Sequence, residues 1–197
     1  DYVGAGVHYC ATCDGPFYRG AESVAVIGGG NSACEEGLHL LRYVNHVHML
    51  VRGAELTASK TAIDSVTTDP HVTIHYNTRV TGIEGTHGKL THVVYTDEDD
   101  EIRRLPTSAA FVFIGQQPNT GFAKDRLRLD AQGFVLTGHD LLHTDPPLGR
   151  TPFTMETSMP GIFAAGDCRS GSTKQVASAV GEGASAAIAI REYLKTI

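Results

Sequence analysis

The spacing of apolar residues changes along this chain, and each change marks a new kind of element. Residues 23–28, Ser-Val-Ala-Val-Ile-Gly, are a β-branched run that ends in glycines; residues 31–43 follow with Leu38, Leu40 and Leu41 set among polar positions. This order predicts a strand, a tight turn and a helix. A second apolar run at 47–51 predicts the next strand, and 58–66 a short helix on its far side, which together begin a right-handed parallel β-α-β unit. Residues 72–76 predict a third strand. From 79 to 105 the pattern turns to alternation through Val80, Ile83, Leu90, Val93, Tyr95 and Ile102, broken by Gly85, Gly88 and the acidic run 97–101. Alternation of this kind predicts a β-meander, with the charged run as a solvated hairpin tip. Residues 109–115 are apolar enough for a buried strand.

Gln116-Gln117-Pro118-Asn119-Thr120-Gly121 is the best candidate linker, because Pro and Gly punctuate it and the pattern restarts afterwards. Beyond it, 127–137 predicts short strand pieces, and 138–160 reads as irregular, holding four of the chain's eight prolines. Residues 161–166, Gly-Ile-Phe-Ala-Ala-Gly, predict another buried strand, and 173–194 a long Ala-rich helix that contains Gly181 and Gly183. Glycine inside a helix costs ~1 kcal/mol against alanine, so this pair predicts the close approach of another backbone or a ligand.

Composition narrows the class. The 197 residues suffice for one large or two small domains, and 41% hydrophobic with 19% charged residues is ordinary for a soluble globular chain. A net charge of −6 gives no electrostatic case for nucleic acid or an anionic membrane. No apolar run approaches the ~20 residues of a membrane span, and no signal segment opens the chain, so a cytoplasmic location is expected. The chain starts Asp1-Tyr2-Val3-Gly4, without an initiator methionine, and reads as a fragment.

Three constellations carry chemistry. Cys10-Ala11-Thr12-Cys13-Asp14 places two thiols at the spacing of a small disulfide ring, with an acid beside them that can move the proton of thiol interchange. Half of a zinc site and a pair of buried thiols are the competing readings of that spacing. Cys34 and Cys168 stand alone and no His pair has a finger-like spacing, so redox chemistry is favoured and no metal is expected.

Gly28-Gly29-Gly30-Asn31-Ser32-Ala33 fits the dinucleotide fingerprint: Gly28 for the turn, Gly30 for approach to a pyrophosphate, Ala33 for helix-to-strand packing. At the end of the second strand Arg52 stands where an acid would select NAD, so NADP is favoured, with Glu55 keeping NAD open and Lys60 a further cation. The third constellation is Gly166-Asp167 at a strand end, followed by Lys174, Gln175 and Val176 at a helix start. These suit polyol hydroxyls and an electron-rich ring edge, or equally a loop-capping aspartate and a surface Lys-Gln pair.

Taken together, the residues resemble the low-molecular-weight, bacterial-type thioredoxin reductase family. The likeness runs through Cys10-Ala11-Thr12-Cys13-Asp14, the glycine turn, Phe113-Ile114-Gly115 with Pro118-Asn119, and Thr157-Ser158-Met159-Pro160-Gly161-Ile162-Phe163-Ala164-Ala165-Gly166-Asp167. It implies an α/β, Rossmann-like three-layer domain with a β-meander over residues 1–117, binding NADPH and carrying the redox cysteines. Residues 118–197 would then be the C-terminal part of an FAD-binding domain whose first segment is not in this chain.

By the same resemblance, electrons pass from NADPH through FAD to a Cys10–Cys13 disulfide and on to thioredoxin. Cys13 would face the flavin, Cys10 would attack the partner, and Asp14 would serve as acid and base. Gly115 would bind cofactor, Gly166, Asp167, Lys174, Gln175 and Val176 would hold FAD, and the full-length protein would be a homodimer. Another dithiol substrate, an oxidase reaction, or a nucleotide-binding redox sensor are the alternatives. The family's usual His-Arg-Arg reads Val51-Arg52-Gly53 here and a further arginine is Thr57, which leaves Arg52 alone to select phosphate. The Val-Arg-Gly and Gly-Ser-Thr-Lys versions resemble reductase domains fused to an N-terminal regulatory module.

Overall fold

The computed structural model describes residues 2–144 and 149–197, so part of the irregular stretch expected at 138–160 lies outside the described residues. The chain divides into two compact units, Asp1–Gly115 and Gln116–Ile197. No described helix is long and apolar enough to cross a membrane.

The first unit is an α/β structure of three layers. Its central sheet contains β1 (Val7–His8), β2 (Val24–Ile27), β3 (Val47–Leu50), β4 (Val72–His75) and, after three intervening strands, β8 (Ala110–Val112). All pair in parallel, in the order β1-β8-β2-β3-β4. The intervening strands β5 (Arg79–Thr86), β6 (Lys89–Thr96) and β7 (Ile102–Pro106) form the antiparallel meander. One face of the parallel sheet, with Val24, Val26, Val47, Met49 and Phe111, packs on α2 (Asn31–Leu40) and α3 (Lys60–Thr68). The other face, with Ala25, Leu50 and Ala110, packs on Leu90, Val93 and Tyr95 of the meander. Burial on both faces is why the central strands read as unbroken apolar runs while the meander alternates.

Element ends differ from expectation by a few residues, for local reasons. Helix α2 stops at Leu40 instead of 43 because the last residues tighten into i−3 bonds, Arg42 N–H to His39 O at 3.2 Å and Tyr43 N–H to Leu40 O at 2.8 Å. Helix α3 starts at Lys60, not 58, because the Ser59 hydroxyl caps it by accepting the Ala62 amide at 3.4 Å. Strand β1 has no signature in the sequence, because its two residues are too few to show a period.

Among its described residues the second unit has one long helix, α4 (Val176–Tyr193), with 3₁₀ turns and isolated bridges. Two expectations are corrected here. Residues 161–166 do not form a buried strand: Phe163 bridges only Glu156, Ile162 is 42% exposed, and Gly161 and Gly166 turn the backbone at φ of 80° and 77°. With a ladder on one side alone among the described residues, an apolar run of four is not held as sheet. Helix α4 begins at Val176 instead of 173, because Lys174 takes φ of 57°, outside the helical region. Among the described residues no other backbone approaches Gly181 or Gly183, and nothing lies within 4 Å of a Cβ added at either.

Two carboxylates, one buried and one half-buried, organise this unit. Glu156, fully buried, pairs with Arg150 at 2.7 Å and accepts the amides of Phe153 and Gly161 at 2.8 and 3.0 Å. Burial alone would push its pKa up, but these bonds win and hold it below the ordinary value. Glu182 of α4 pairs with Arg169 at 2.7 Å, and that hydrogen bond holds its carboxyl below the usual range.

Candidate redox and dinucleotide site

Cys10 and Cys13 are joined by a disulfide across the single-turn helix α1 (Ala11–Asp14), with their Cα atoms 5.4 Å apart. The bond removes the zinc alternative for this pair. Cys10 sits at the N-cap and its sulfur accepts the Cys13 amide at 3.1 Å. The turn is fixed from outside as well: the Ala11 amide donates to a Glu36 carboxylate oxygen on α2 at 2.9 Å. At its end Gly15 lies so close to α2 that an added Cβ would come within 3.0 Å of Tyr43 and 3.1 Å of Leu40. Cys13 is exposed and Cys10 half-buried, and Tyr9 and Phe17 flank them with 60% and 79% of their surface open.

Asp14, at the end of the turn, has a partner that the sequence reading missed. Its Oδ2 lies 3.3 Å from Nδ1 of His8 on β1, whose side chain is only 7% exposed. The other ring nitrogen of His8 lies 2.6 Å from the Tyr18 hydroxyl. Burial first, and the negative charge of Asp14 second, push the Tyr18 phenol above its ordinary pKa. Glu36, His8 and Tyr18 come from a helix, an edge strand and a 3₁₀ turn, so no spacing rule links them to the cysteines.

The glycine turn joins β2 to α2. Gly28 has φ of 143°, and a Cβ there would lie 2.3 Å from the Phe113 carbonyl oxygen, so both backbone and space demand glycine. Gly30 is the N-cap of α2, with no side chain capping the helix and Thr57 Oγ1 at 3.9 Å as the nearest atom to an added Cβ. Asn31 and Ser32 are exposed in the first turn, whereas Ala33 is fully buried against Gly28. Free amides at an open helix start, approached over bare glycine, are what a pyrophosphate needs. The segment after β3 is tied to this turn: the Thr57 amide donates to Gly29 O at 2.8 Å, and the Ser59 amide to Asn31 Oδ1 at 2.7 Å.

Arg52 belongs to that segment and lines a cleft of about 710 Å³ with Asn77, Arg79, Asp97, Glu98 and Asp100. The Arg103 guanidinium already holds Asp97, at 2.7 Å. Gly115, with φ of 91°, is exposed at the unit's last residue.

In the second unit, Gly166 and Asp167 lie on a 3₁₀ turn, Gly166–Cys168, clamped to α4 by the Gly166 amide donating to Glu182 at 2.7 Å. Asp167 is exposed. Lys174 lies beside it, but its ammonium donates to the Asp167 and Arg169 carbonyls at 2.8 and 3.0 Å and covers the Phe134 ring at 3.9 Å. Gln175 is the N-cap of α4 and Val176 its first residue, 81% exposed, with no side chain capping the helix. An exposed carboxylate beside an open helix start is a donor set that suits a hydroxyl-bearing cofactor.

Comparison with known proteins agrees with this geometry. The family model described as pyridine nucleotide-disulphide oxidoreductase matches residues 1–183. The chain is 38% identical over 198 residues to the thioredoxin reductase of Treponema pallidum (strain Nichols), covering all of this chain and 59% of that protein. It is 35% identical to NADPH-dependent thioredoxin reductase 3 of Arabidopsis thaliana, covering 98% of this chain and 35% of that one. The crystal structure of thioredoxin reductase from Streptococcus pyogenes MGAS5005 superposes with a TM-score of 0.84 at 32% identity, covering 100% of this chain and 60% of that one. The chain thus spans about three fifths or less of these relatives' length. A redox disulfide and a dinucleotide turn in one Rossmann-like unit, matched along nearly the whole sequence, place this chain in the pyridine nucleotide-disulphide oxidoreductase family, with the low-molecular-weight thioredoxin reductases.

Proposed function

We propose that the protein containing this chain is an NADPH-dependent disulfide reductase that uses FAD and delivers electrons through Cys10 and Cys13 to thioredoxin. The observation that carries this reading is the surface-reaching Cys10–Cys13 disulfide, formed in the same unit as an open, glycine-lined helix start. When bound, the nicotinamide and flavin supply the two-electron reductant for the disulfide.

The chain's own residues would act as follows. Gly28, Gly30, Asn31, Ser32 and Ala33 shape the pyrophosphate seat, and Arg52 faces the 2′-phosphate. Gly115 contributes to cofactor binding, and Gly166, Asp167, Lys174, Gln175 and Val176 contribute to holding FAD. Cys13, the more exposed of the two in the oxidised chain, is the thiol that meets the flavin, and Cys10 is the thiol that meets the partner. The Cys10 thiolate attacks a partner disulfide, and a Cys10–partner bond forms as the first partner thiolate leaves. The Cys13 thiolate then attacks Cys10, the Cys10–Cys13 bond re-forms, and the second partner thiolate leaves. Two electrons move to the partner, and the protons of the two cysteine thiols end on the two leaving sulfurs. Asp14 carries those protons between sulfurs. We place this reaction in the cytoplasm, in a homodimer.

The test uses the complete protein with FAD bound. NADPH oxidation should depend on added oxidised thioredoxin and should be abolished by Cys13→Ser. NADPH oxidation that ignores thioredoxin and survives Cys10→Ser would refute the proposal.

A further inference from the structure

We infer that His8, fixed by Tyr18, is a positioning residue that holds the Asp14 carboxyl in place during thiol–disulfide exchange at Cys10 and Cys13. The inference rests on the reductase reading for the exchange, but its geometry stands apart from any cofactor. The His8 ring is buried between Tyr18 and Phe111, with centroids 5.3 and 5.2 Å away, and β1 ties its backbone to β8 in register with Phe111. It has no freedom to turn. Its two nitrogens each meet one group, Asp14 at 3.3 Å and the Tyr18 hydroxyl at 2.6 Å.

The chemistry of those partners sets the direction of both bonds. The Tyr18 phenol keeps its proton, because burial and the charge of Asp14 disfavour the phenolate, and so it donates to Nε2. A neutral ring that accepts at Nε2 carries its hydrogen on Nδ1, the nitrogen that lies 3.3 Å from Asp14 Oδ2. The result is a fixed line of donors, Tyr18 to His8 to Asp14, ending on the carboxyl group at the end of the redox turn.

Such a line matters because Asp14 changes its state in every exchange. It takes a proton from the attacking thiol, becoming a carboxyl, and gives it to the leaving thiolate, becoming a carboxylate again. Asp14 is on a four-residue turn with its side chain 30% exposed, and without a partner it would swing into water at each return to the charged form. The His8 N–H attracts the oxygen it faces at 3.3 Å and leaves the second oxygen for the sulfurs. A proton must reach the leaving sulfur when that sulfur belongs to a basic alkyl thiol; an acidic aromatic thiolate leaves without one.

The experiment is exchange by the 197-residue chain, reduced with dithiothreitol, desalted, and mixed with either an aromatic disulfide (Ellman's reagent) or an alkyl one (hydroxyethyl disulfide). His8→Phe fills the ring's space but cannot donate. It should slow reaction with the alkyl disulfide about tenfold to a hundredfold, the size of a lost hydrogen bond to a charged group, and slow the aromatic reaction much less, by only the part that comes from removing the attacking thiol's proton. His8→Asn, whose amide N–H replaces Nδ1–H, should recover to within about threefold of wild type. Tyr18→Phe, which frees the ring, should fall between the two. Equal alkyl rates in wild type and His8→Phe would overturn the inference, as would equal slowing with both disulfides, which marks a merely structural role. A wild-type chain inert towards both disulfides would instead refute the reductase reading, and the inference with it.

Discussion

Glu36, on the helix that opens at the dinucleotide turn, accepts the amide hydrogen of Ala11, which lies between the two cysteines, at 2.9 Å. The redox turn is thereby hung from α2 and not only from its own loop. Glu36→Ala should destabilise the oxidised chain by ~1–3 kcal/mol, the usual cost of orphaning an amide bonded to a charged acceptor. Glu36→Gln keeps an acceptor oxygen and should lose less than half of that. Urea unfolding of the three proteins checks both numbers, and an Ala variant as stable as wild type would remove Glu36 from the account.

Two glycines two residues apart in the same turn should behave oppositely on substitution. Gly28→Ala forces a Cβ to within 2.3 Å of Phe113 O at φ of 143°, so it should cost at least ~2 kcal/mol in folding. Gly30 has φ of −90° and open space, so Gly30→Ala should melt close to wild type yet weaken NADPH binding about tenfold by crowding the pyrophosphate. Thermal melts with nucleotide calorimetry separate the two effects.

Arg52→Ala should weaken binding of 2′,5′-ADP about tenfold to a hundredfold and leave 5′-AMP unaffected, because only the former carries the phosphate an arginine would grip. Calorimetry on the chain reads this directly. Equal losses for both nucleotides would deny Arg52 a role in selection, and Arg79, on the same cleft, would be the next residue to change.

His48 should make the first unit sensitive to mild acid. Its pKa is lowered to about 4, first by burial and then by His46 and His75, the latter with its ring nitrogen 3.2 Å from His48 Nδ1. An unfolded imidazole titrates at ~6.5. As pH falls below that value the unfolded chain takes a proton that the native ring refuses, so stability drops from about pH 6.5 down to about pH 4. His48 is half-buried, so solvent screening reduces the loss to on the order of 1 kcal/mol. His48→Gln does not titrate there and should flatten the curve of melting temperature against pH over that range.

The first unit was readable because its physics is local. Val24, Val26, Val47 and Met49 are buried within continuous runs, and glycines and Asn31 mark the turn between strand and helix. Its redox cysteines were readable because residue type and spacing carry the chemistry. His8, Tyr18 and Glu36 were not, since folding alone brings a strand, a 3₁₀ turn and a helix to Asp14 and Ala11. The run at 161–166 misled because apolar character speaks of burial, while a strand also needs partners for its amides and carbonyls. Those partners lie beyond the reach of a local pattern.

Asp167 stands on a short turn, the kind of place where side chains ordinarily drift. Here one carboxylate, Glu182, takes both the Gly166 amide and the Arg169 guanidinium, on either side of it. The turn therefore inherits the register of α4: a shift of that helix by one residue would carry the anchor about 1.5 Å along the axis and rotate it away from both partners. Asp167 is consequently indexed to an eighteen-residue helix, with a helix's precision at a loop's address.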